Sequence, residues 1–169
     1  KSEVFGRYLD VDGDGIGYRT LPGTHPEKGA FFTRGTSRDE FAAYTESPEA
    51  YERNMQRLEL KWQTIRGLVP AAEIDDQKRR VGVLFYGTTA LPIPEALDLL
   101  HVDGIALDSC RVRAFPFGTE VEAFVQEHDL VFVVEQNRDA QMRTLLINEE
   151  DFEPGKLIPV LYYAGLSMS

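Results

Sequence analysis

A regular alternation of strand-like and helix-like segments from residue 79 onward is the feature that most constrains the fold of this chain. Residues 81–86, Val-Gly-Val-Leu-Phe-Tyr, form a continuous apolar run, which is typical of a strand buried on both faces. Further strands are predicted at 107–114, 130–134 and 157–162, with helical patterns between them. Strands that alternate with helices form a largely parallel sheet whose right-handed crossovers place helices on both faces. The sequence therefore predicts a three-layer α/β/α domain.

Local signals refine this prediction. Thr119 and Glu122 match a capping box at the start of the second helix of this region, and Asp139 can cap the third. Pro159 indicates that the last strand lies at an edge of the sheet, because proline cannot donate a ladder hydrogen bond.

The first half of the chain is organised differently. Residues 10–35 are crowded with Gly, Asp, Thr and Pro and show no sustained period, which predicts loops or a short hairpin. Ser47-Pro48-Glu49 then begins a helix, Pro70 ends it, and 71–78 is predicted to be a linker. We expect a loop-rich segment at 1–46 and the α/β domain at 47–169.

The helix after Ser47 carries an apolar stripe at steps of four and three residues. We expect the stripe to pack on the helix's own domain, and a coiled-coil seam or a cofactor-facing surface is the alternative. Its members are Tyr51, Met55, Leu58, Trp62, Ile65 and Val69.

Composition excludes several classes of protein. Eighteen basic and 28 acidic residues give a formal charge of −10 in 169 residues, which disfavours nucleic acid and anionic membranes as partners. No apolar run approaches the ~20 residues that span a bilayer. No signal peptide is visible, so we expect a cytoplasmic protein. A single cysteine, Cys110, allows no internal disulfide and cannot by itself hold an iron–sulfur cluster, so a buried structural thiol is predicted.

The most unusual segment places Asp10, Asp12 and Asp14 at alternate positions ahead of a glycine. This matches the opening of an EF-hand-like calcium loop, but loop position twelve is Leu21 instead of glutamate. A Ca²⁺ or Mg²⁺ site on the three aspartates remains an alternative to a solvated acidic turn, which is favoured. Residues 13–15, Gly-Asp-Gly, also open the thiamine-diphosphate motif, but the asparagine that the motif needs some 25 residues later is missing, since the first is Asn54.

Other candidate residues follow the predicted strands, where sites form in open α/β sheets. They are expected to bind a ligand or to form the polar part of a subunit contact, and the contact is favoured because no glycine-rich phosphate loop accompanies them. These residues are Gly87, Thr88, Phe117, Glu135, Gln136, Asn137 and Arg138. His128 falls on the apolar stripe of a helix and is predicted to be a helix-end residue, not a metal ligand.

Four stretches carry a resemblance to a known family. Residues 18–26 (YRTLPGTHP), 32–36 (FTRGT), 113–117 (RAFPF) and 134–139 (VEQNRD) resemble the alpha subunits of 2-oxoacid:ferredoxin oxidoreductases, most closely those of the 2-oxoglutarate type. The likeness runs in order over nearly the whole chain. It implies that residues 1–46 end a pyrimidine-binding domain or link it to a transketolase C-terminal-like domain at 47–169, and that this chain is a fragment of a longer one.

The resemblance also implies an activity. Enzymes of this family oxidatively decarboxylate a 2-oxoacid to acyl-CoA and reduce ferredoxin, using thiamine diphosphate, Mg²⁺ and an iron–sulfur cluster. It implies a beta subunit as partner and a mainly architectural role for this fragment, which is expected to be inactive alone. No catalytic residue carries over, but Arg19, Thr24, His25 and Arg34 are candidates to reach a substrate carboxylate or CoA phosphates.

Two alternatives stay open. A stand-alone α/β module that binds a metal or a small ligand is the alternative function. Self-association of the isolated fragment into a homodimer is the alternative for its partner.

Overall fold

The computed structural model describes residues 5–26, 29, 37–166 and 168. The chain divides into two compact units, Lys1–Leu68 and Val69–Ser169. The predicted boundary at 46/47 differs from this division because the first helix belongs with the first unit. The boundary between the family's domains stays a prediction.

The second unit is built on a five-stranded sheet. Its strands are β1 (Glu73–Asp75), β2 (Val81–Tyr86), β3 (Asp108–Val112), β4 (Leu130–Glu135) and β5 (Leu157–Leu161). The order across the sheet is β1-β3-β2-β4-β5, with β1 antiparallel and the other four strands parallel. The predicted parallel sheet is confirmed, and so is the edge position of the strand that carries Pro159.

Three helices cover the two faces of this sheet: α2 (Ile93–Val102), α3 (Thr119–Glu127) and α4 (Gln141–Glu150). The larger core places α3 and α4 against one face, around the fully buried side chains of Leu84, Val133 and Leu146. A smaller core places α2 against the other face, around Val83 and Phe85. The alternation of neighbouring strand residues between the two cores is the period of two that a strand buried on both faces requires.

Three local predictions were wrong, each because a distant residue decides the structure. The segment 71–78 is not only a linker, since Glu73–Asp75 pairs with β3. Gly118, and not Thr119, caps α3, while the Glu120 carboxylate accepts a hydrogen bond from the Ala72 amide at 2.8 Å. Helix α4 begins at Gln141, with Ala140 and not Asp139 at the cap position.

The first unit consists of loops and helix α1 (Pro48–Arg66). The predicted helix start is confirmed, because the Ser47 hydroxyl accepts a hydrogen bond from the Ala50 amide at 3.2 Å. The expectation that the apolar stripe packs on its own domain is wrong for most of its length. Within α1 only Ala50 is fully buried, and the stripe residues Tyr51, Met55, Leu58 and Trp62 are all exposed.

Among the described residues no helix has the length and apolar character needed to cross a bilayer.

Candidate functional site

The carboxyl edge of the parallel sheet is the place where open α/β folds bind ligands, at the point where neighbouring connections diverge. Here β2 and β4 are neighbours, and their connections lead to β3 on one side and to β5 on the other. The turn after β2 and the segment after β4 meet at this point. The Gln136 side-chain amide donates to the Thr88 hydroxyl at 3.0 Å and to the Thr89 hydroxyl at 3.3 Å. The structure therefore brings together two of the predicted site segments.

Glu135, the last residue of β4, is fully buried, and its carboxylate caps helix α4. It accepts hydrogen bonds from the amides of Met142 at 2.7 Å and Arg143 at 3.0 Å, and from the Asn137 side chain at 2.7 Å. A carboxylate at a helix N-terminus satisfies amides that have no partner in the helix and opposes the positive end of the dipole. Glu135 therefore occupies, within the chain, the position that a bound anion takes in phosphate-binding members of this fold class.

The buried Glu135 carboxylate affects the pKa of the neighbouring residue Tyr86. The pKa of Tyr86 is raised, first by burial and then by the Glu135 carboxylate. The Asn137 side-chain amide lies 3.4 Å from the Tyr86 hydroxyl. Tyr86, Glu135 and Asn137 form one hydrogen-bonded group that also binds backbone amides at the start of α4, which is typical of a structural network.

The other predicted residues at this edge differ in accessibility. Gly87, Thr88 and Arg138 are exposed, whereas Phe117 is 1% exposed and belongs to the core. The Phe117 ring cannot contact a ligand or a partner at that burial. Arg138 pairs with its neighbour Asp139 at 2.7 Å.

At the opposite, amino edge of the sheet lies a buried charged cluster that the sequence did not reveal. Asp108, at the start of β3, is completely buried and accepts four hydrogen bonds. The donors are the amides of Gln77 (3.0 Å) and Arg79 (2.9 Å), the Arg79 guanidinium (3.0 Å) and His128 Nε2 (3.2 Å). A buried carboxylate is tolerated when its charge is paired and its oxygens are hydrogen-bonded, as they are here.

His128 lies between two acceptors. Its Nδ1 lies 2.6 Å from the Phe124 carbonyl oxygen, and its Nε2 faces Asp108. The predicted helix-end position of His128 is confirmed, since it follows the last residue of α3.

Asp76, Asp108 and His128 form a group whose potential ligand atoms lie within 4.8 Å of one another in the described part of the chain. Protein donors already occupy these atoms. Hydrogen bonds from the Lys78 side chain and amide lower the pKa of Asp76 to about 2, and a cation would also have to compete with Arg79. The hydrogen bonds of the cluster therefore join the amino ends of β2, β3 and β4. Because these bonds already occupy the oxygen and nitrogen atoms, the cluster does not suit a metal.

The Asp10 loop of the first unit is organised by its own backbone. The Asp10 carboxylate accepts hydrogen bonds from the amides of Gly13 (2.8 Å), Asp14 (3.1 Å) and Gly15 (2.9 Å). Asp12 accepts a hydrogen bond from the Tyr18 hydroxyl at 2.6 Å. These bonds are those of a carboxylate-capped turn. A Ca²⁺ or Mg²⁺ ion on the three aspartates stays a prediction.

The same loop packs tightly on helix α1. A Cβ atom at Gly15 would lie 2.3 Å from the Lys61 amide nitrogen, and the Thr64 hydroxyl donates to the Asp14 carbonyl at 2.6 Å. The backbone at Gly15 is therefore closely packed on the helix. The loop lacks the asparagine of the thiamine-diphosphate motif, and the expectation that it holds no such site stays a prediction.

The loop that carries the family-like residues is partly described. Arg19, Thr24 and His25 are exposed, and the Thr24 hydroxyl donates to the Leu21 carbonyl at 2.6 Å. Arg34 lies outside the described residues. The roles of these four residues remain predictions.

A groove in the first unit was not foreseen from the sequence. Arg57, which lies off the apolar stripe of α1, is half-buried and donates to the Gly15 carbonyl at 2.8 Å. Its guanidinium carbon lies 5.8 Å from the centre of the Tyr8 ring, within reach of a cation–π contact. A cavity of about 230 Å³ lies beside it. The signal in the sequence was the position of Arg57 on the flank of the apolar stripe, toward the face that packs on the glycine-rich loop.

Cys110 is completely buried in β3, and burial raises the pKa of its thiol to about 12. A thiol of this kind is neither a nucleophile nor a ready ligand at neutral pH. The prediction of a structural cysteine is confirmed.

Comparisons with known proteins support the resemblance. No family model matches the chain. It is 30% identical over 158 residues to subunit alpha of 2-oxoacid:ferredoxin oxidoreductase 2 from Aeropyrum pernix, which covers 90% of this chain and 24% of that protein. A solved structure, 2-oxoglutarate:ferredoxin oxidoreductase from Magnetococcus marinus with 2-oxoglutarate, coenzyme A and succinyl-CoA bound, matches with a TM-score of 0.78 at 22% identity. That match covers 98% of this chain and 28% of the other.

The structural match shows the fold, and the sequence match shows that the chain is related to the Aeropyrum pernix alpha subunit. The predicted α/β fold and the resemblance to these alpha subunits are both confirmed. The chain spans about a quarter of the length of each protein that it matches.

Proposed function

We propose that this chain, a relative of the alpha subunits of 2-oxoacid:ferredoxin oxidoreductases, is one part of such an alpha subunit. The assembled enzyme oxidatively decarboxylates a 2-oxoacid to acyl-CoA and transfers the electrons to ferredoxin. The observation that carries this proposal is the 30% identity that extends over 90% of the chain. 2-Oxoglutarate is the proposed substrate, supported by the family-like motifs and by the identity of the structural neighbour.

The proposed role of the second unit is architectural. Its switch-point residues support this role, because Gln136 bonds to the threonines after β2 and Glu135 caps α4. A site whose polar groups are already paired offers few donors to a substrate. Its exposed rim, formed by Gly87, Thr88 and Arg138, suits a subunit contact. The proposed partner at this rim is the beta subunit.

The cofactors of the reaction belong, in this proposal, to other segments of the enzyme. Thiamine diphosphate and Mg²⁺ supply the carbanion chemistry, and an iron–sulfur cluster supplies single-electron transfer. The close packing at Gly15 and the lone, buried Cys110 support this assignment, because neither offers a site for these groups.

The exposed loop of the first unit is the proposed point of contact with substrate or CoA. Arginine suits the bidentate binding of carboxylates and phosphates, so Arg19 of this loop and Arg34 are the principal candidates, and Thr24 and His25 are the others. A purely structural role for the loop is the alternative.

The test compares the chain alone with the complete enzyme. The 169-residue chain is expected to show no 2-oxoacid-dependent reduction of methyl viologen in the presence of CoA. The full-length alpha chain purified with its beta partner is expected to reduce the dye. A complete, cofactor-loaded assembly that turns over no 2-oxoacid would contradict the proposal.

A further inference from the structure

The exposed face of helix α1 is a feature of the first unit that the proposed function does not use. Tyr51, Met55 and Leu58 follow one another at steps of four and three residues, so they lie side by side on the helix. Their exposed fractions are 50%, 42% and 36%. Trp62, one step further, is also half exposed. Adjacent large apolar side chains on a surface mark an interaction site more often than isolated ones do.

A groove runs directly along this face. It has a volume of about 230 Å³ and is lined on one side by Tyr51, Met55 and Leu58. Its other lining residues are polar or aromatic: Tyr8, Ser37, Arg38, Asn54 and Arg57. The groove thus combines an apolar wall with two arginines, and no carboxylate is found among its described lining residues.

The two arginines are held in place. Arg57 is fixed by its hydrogen bond to the Gly15 carbonyl, and its buried Nε has no acceptor within the part of the chain that the structure describes. The Arg38 guanidinium lies 5.8 Å from the centre of the Tyr44 ring. The backbone carbonyl of Arg38 accepts a hydrogen bond from the Asn54 side chain. A preorganised cation loses less side-chain entropy when it pairs with an anion.

We propose that this groove and the helix face beside it dock an acidic polypeptide segment that inserts apolar side chains between Tyr51, Met55 and Leu58. The segment comes from the part of the oxidoreductase outside these 169 residues, so the inference rests on the proposed function. Charge supports this occupant, because a basic groove stands out on a chain of net charge −10 and pairs with Asp or Glu. Length supports it too, since about three quarters of each matching protein lies outside the matched region.

A second copy of the chain fits this surface less well. Glu52 and Glu59 lie along the flank of the stripe away from the groove, by their positions on the helix. In a symmetric antiparallel pair these flanks face each other and place like charges together. A partner with its own acidic residues over the groove avoids this repulsion.

The docking is tested by site-specific photo-crosslinking in the complete enzyme, full-length alpha chain with beta subunit. p-Benzoylphenylalanine replaces Tyr51, which it resembles in shape, and the cross-linked peptides are identified by mass spectrometry. The expected product joins position 51 to an Asp- or Glu-rich segment outside the 169 residues. The matched control places the same probe at Gln63, an exposed position beyond the far flank of the stripe.

Each other product overturns the inference. Cross-links from position 51 to residues within the 169, or to the same region of a second alpha chain, would show a different occupant. A yield at position 51 no higher than at position 63 would show that nothing docks there.

The charge requirement is tested separately. Arg38→Glu is expected to lower the cross-linking yield from position 51 by roughly fivefold or more, whereas Arg38→Lys keeps most of it. The double variant Gln56→Glu/Gln63→Glu makes the same change of −2 in net charge away from the groove and is expected to leave the yield unchanged. Equal yields in the Arg38→Glu and control variants would overturn the acidic occupant. Dye reduction measured on the same samples separates this result from the proposed function, because an inactive enzyme that still cross-links would contradict only the latter.

Discussion

Replacing Asp108 by asparagine tests whether the buried charged cluster holds the second unit together. The side chain keeps its size, but one oxygen becomes an NH₂ group. Oδ1 accepts from the Gln77 amide and the Arg79 guanidinium, whereas Oδ2 accepts from the Arg79 amide and faces His128 Nε2. Whichever oxygen is replaced, two nitrogens lose their acceptor, and the Arg79 guanidinium loses its counter-charge.

The magnitude follows from the geometry. Asp108 is completely buried and accepts hydrogen bonds from four nitrogen donors at 2.9–3.2 Å. Each buried donor that is left without an acceptor costs about 1–3 kcal/mol, so two of them give a loss of about 3–5 kcal/mol, the range typical of breaking a buried pair. In a chain of this size, such a loss lowers the melting temperature by roughly 6–20 °C.

The assay is urea and thermal unfolding followed by circular dichroism. Asp129→Asn is the matched control, since Asp129 pairs with Arg80 at 2.5 Å but both side chains are largely exposed. An exposed pair contributes about 0–1 kcal/mol. If Asp108→Asn and Asp129→Asn destabilise the protein equally, the reasoning about the cluster is refuted.

Three further predictions concern single residues. Cys110 is expected to resist iodoacetamide at pH 8 and to react once urea unfolds the protein, and rapid labelling of the native protein would contradict its burial. Because burial raises the pKa of the folded thiol to about 12, the stability that comes from keeping it neutral is present below about pH 9 and falls as the pH rises above that. Gly15→Ala is expected to destabilise the chain far more than Gly13→Ala in urea unfolding, because both residues have positive φ but only Gly15 meets backbone atoms; equal effects would disprove the tight packing. Glu135→Gln is expected to cost about 1–3 kcal/mol in the same assay and to speed hydrogen exchange at the start of α4, whereas unchanged exchange would exclude the cap.

The strands and the start of α1 could be predicted because their signals are local. An apolar run such as Val81–Tyr86 has no other stable placement than the middle of a sheet. Ser47 ahead of Pro48 is a helix start whatever surrounds it. The layered architecture followed from the order of these elements.

The caps and the edge strand could not be predicted because distant residues supply them. Glu135 caps α4 from six residues upstream, across a turn whose path the sequence does not show. Glu120 reaches the Ala72 amide, 48 residues away. The strand Glu73–Asp75 is exposed throughout, so it lacks the apolar alternation by which strands are recognised.

The sites were predicted least well, since burial decides what a polar residue does. No pattern in the sequence marked Asp108, but this residue forms the centre of a buried network. The stripe on α1 predicted a buried face, because periodicity shows that a face is apolar but not what covers it. Phe117 followed a strand, as a site residue would, but its ring fills the core.

The measurement that tests the central claim most directly is the product balance of the complete enzyme. Full-length alpha chain and beta subunit are incubated with 2-oxoglutarate, CoA and oxidised ferredoxin, and succinyl-CoA, CO₂ and reduced ferredoxin are quantified. The proposed function predicts one succinyl-CoA and one CO₂ for every two ferredoxins reduced, with no product when either subunit or CoA is omitted. Ferredoxin that stays oxidised in the presence of 2-oxoglutarate and other 2-oxoacids, in an assembly that carries its cofactors, would contradict the claim.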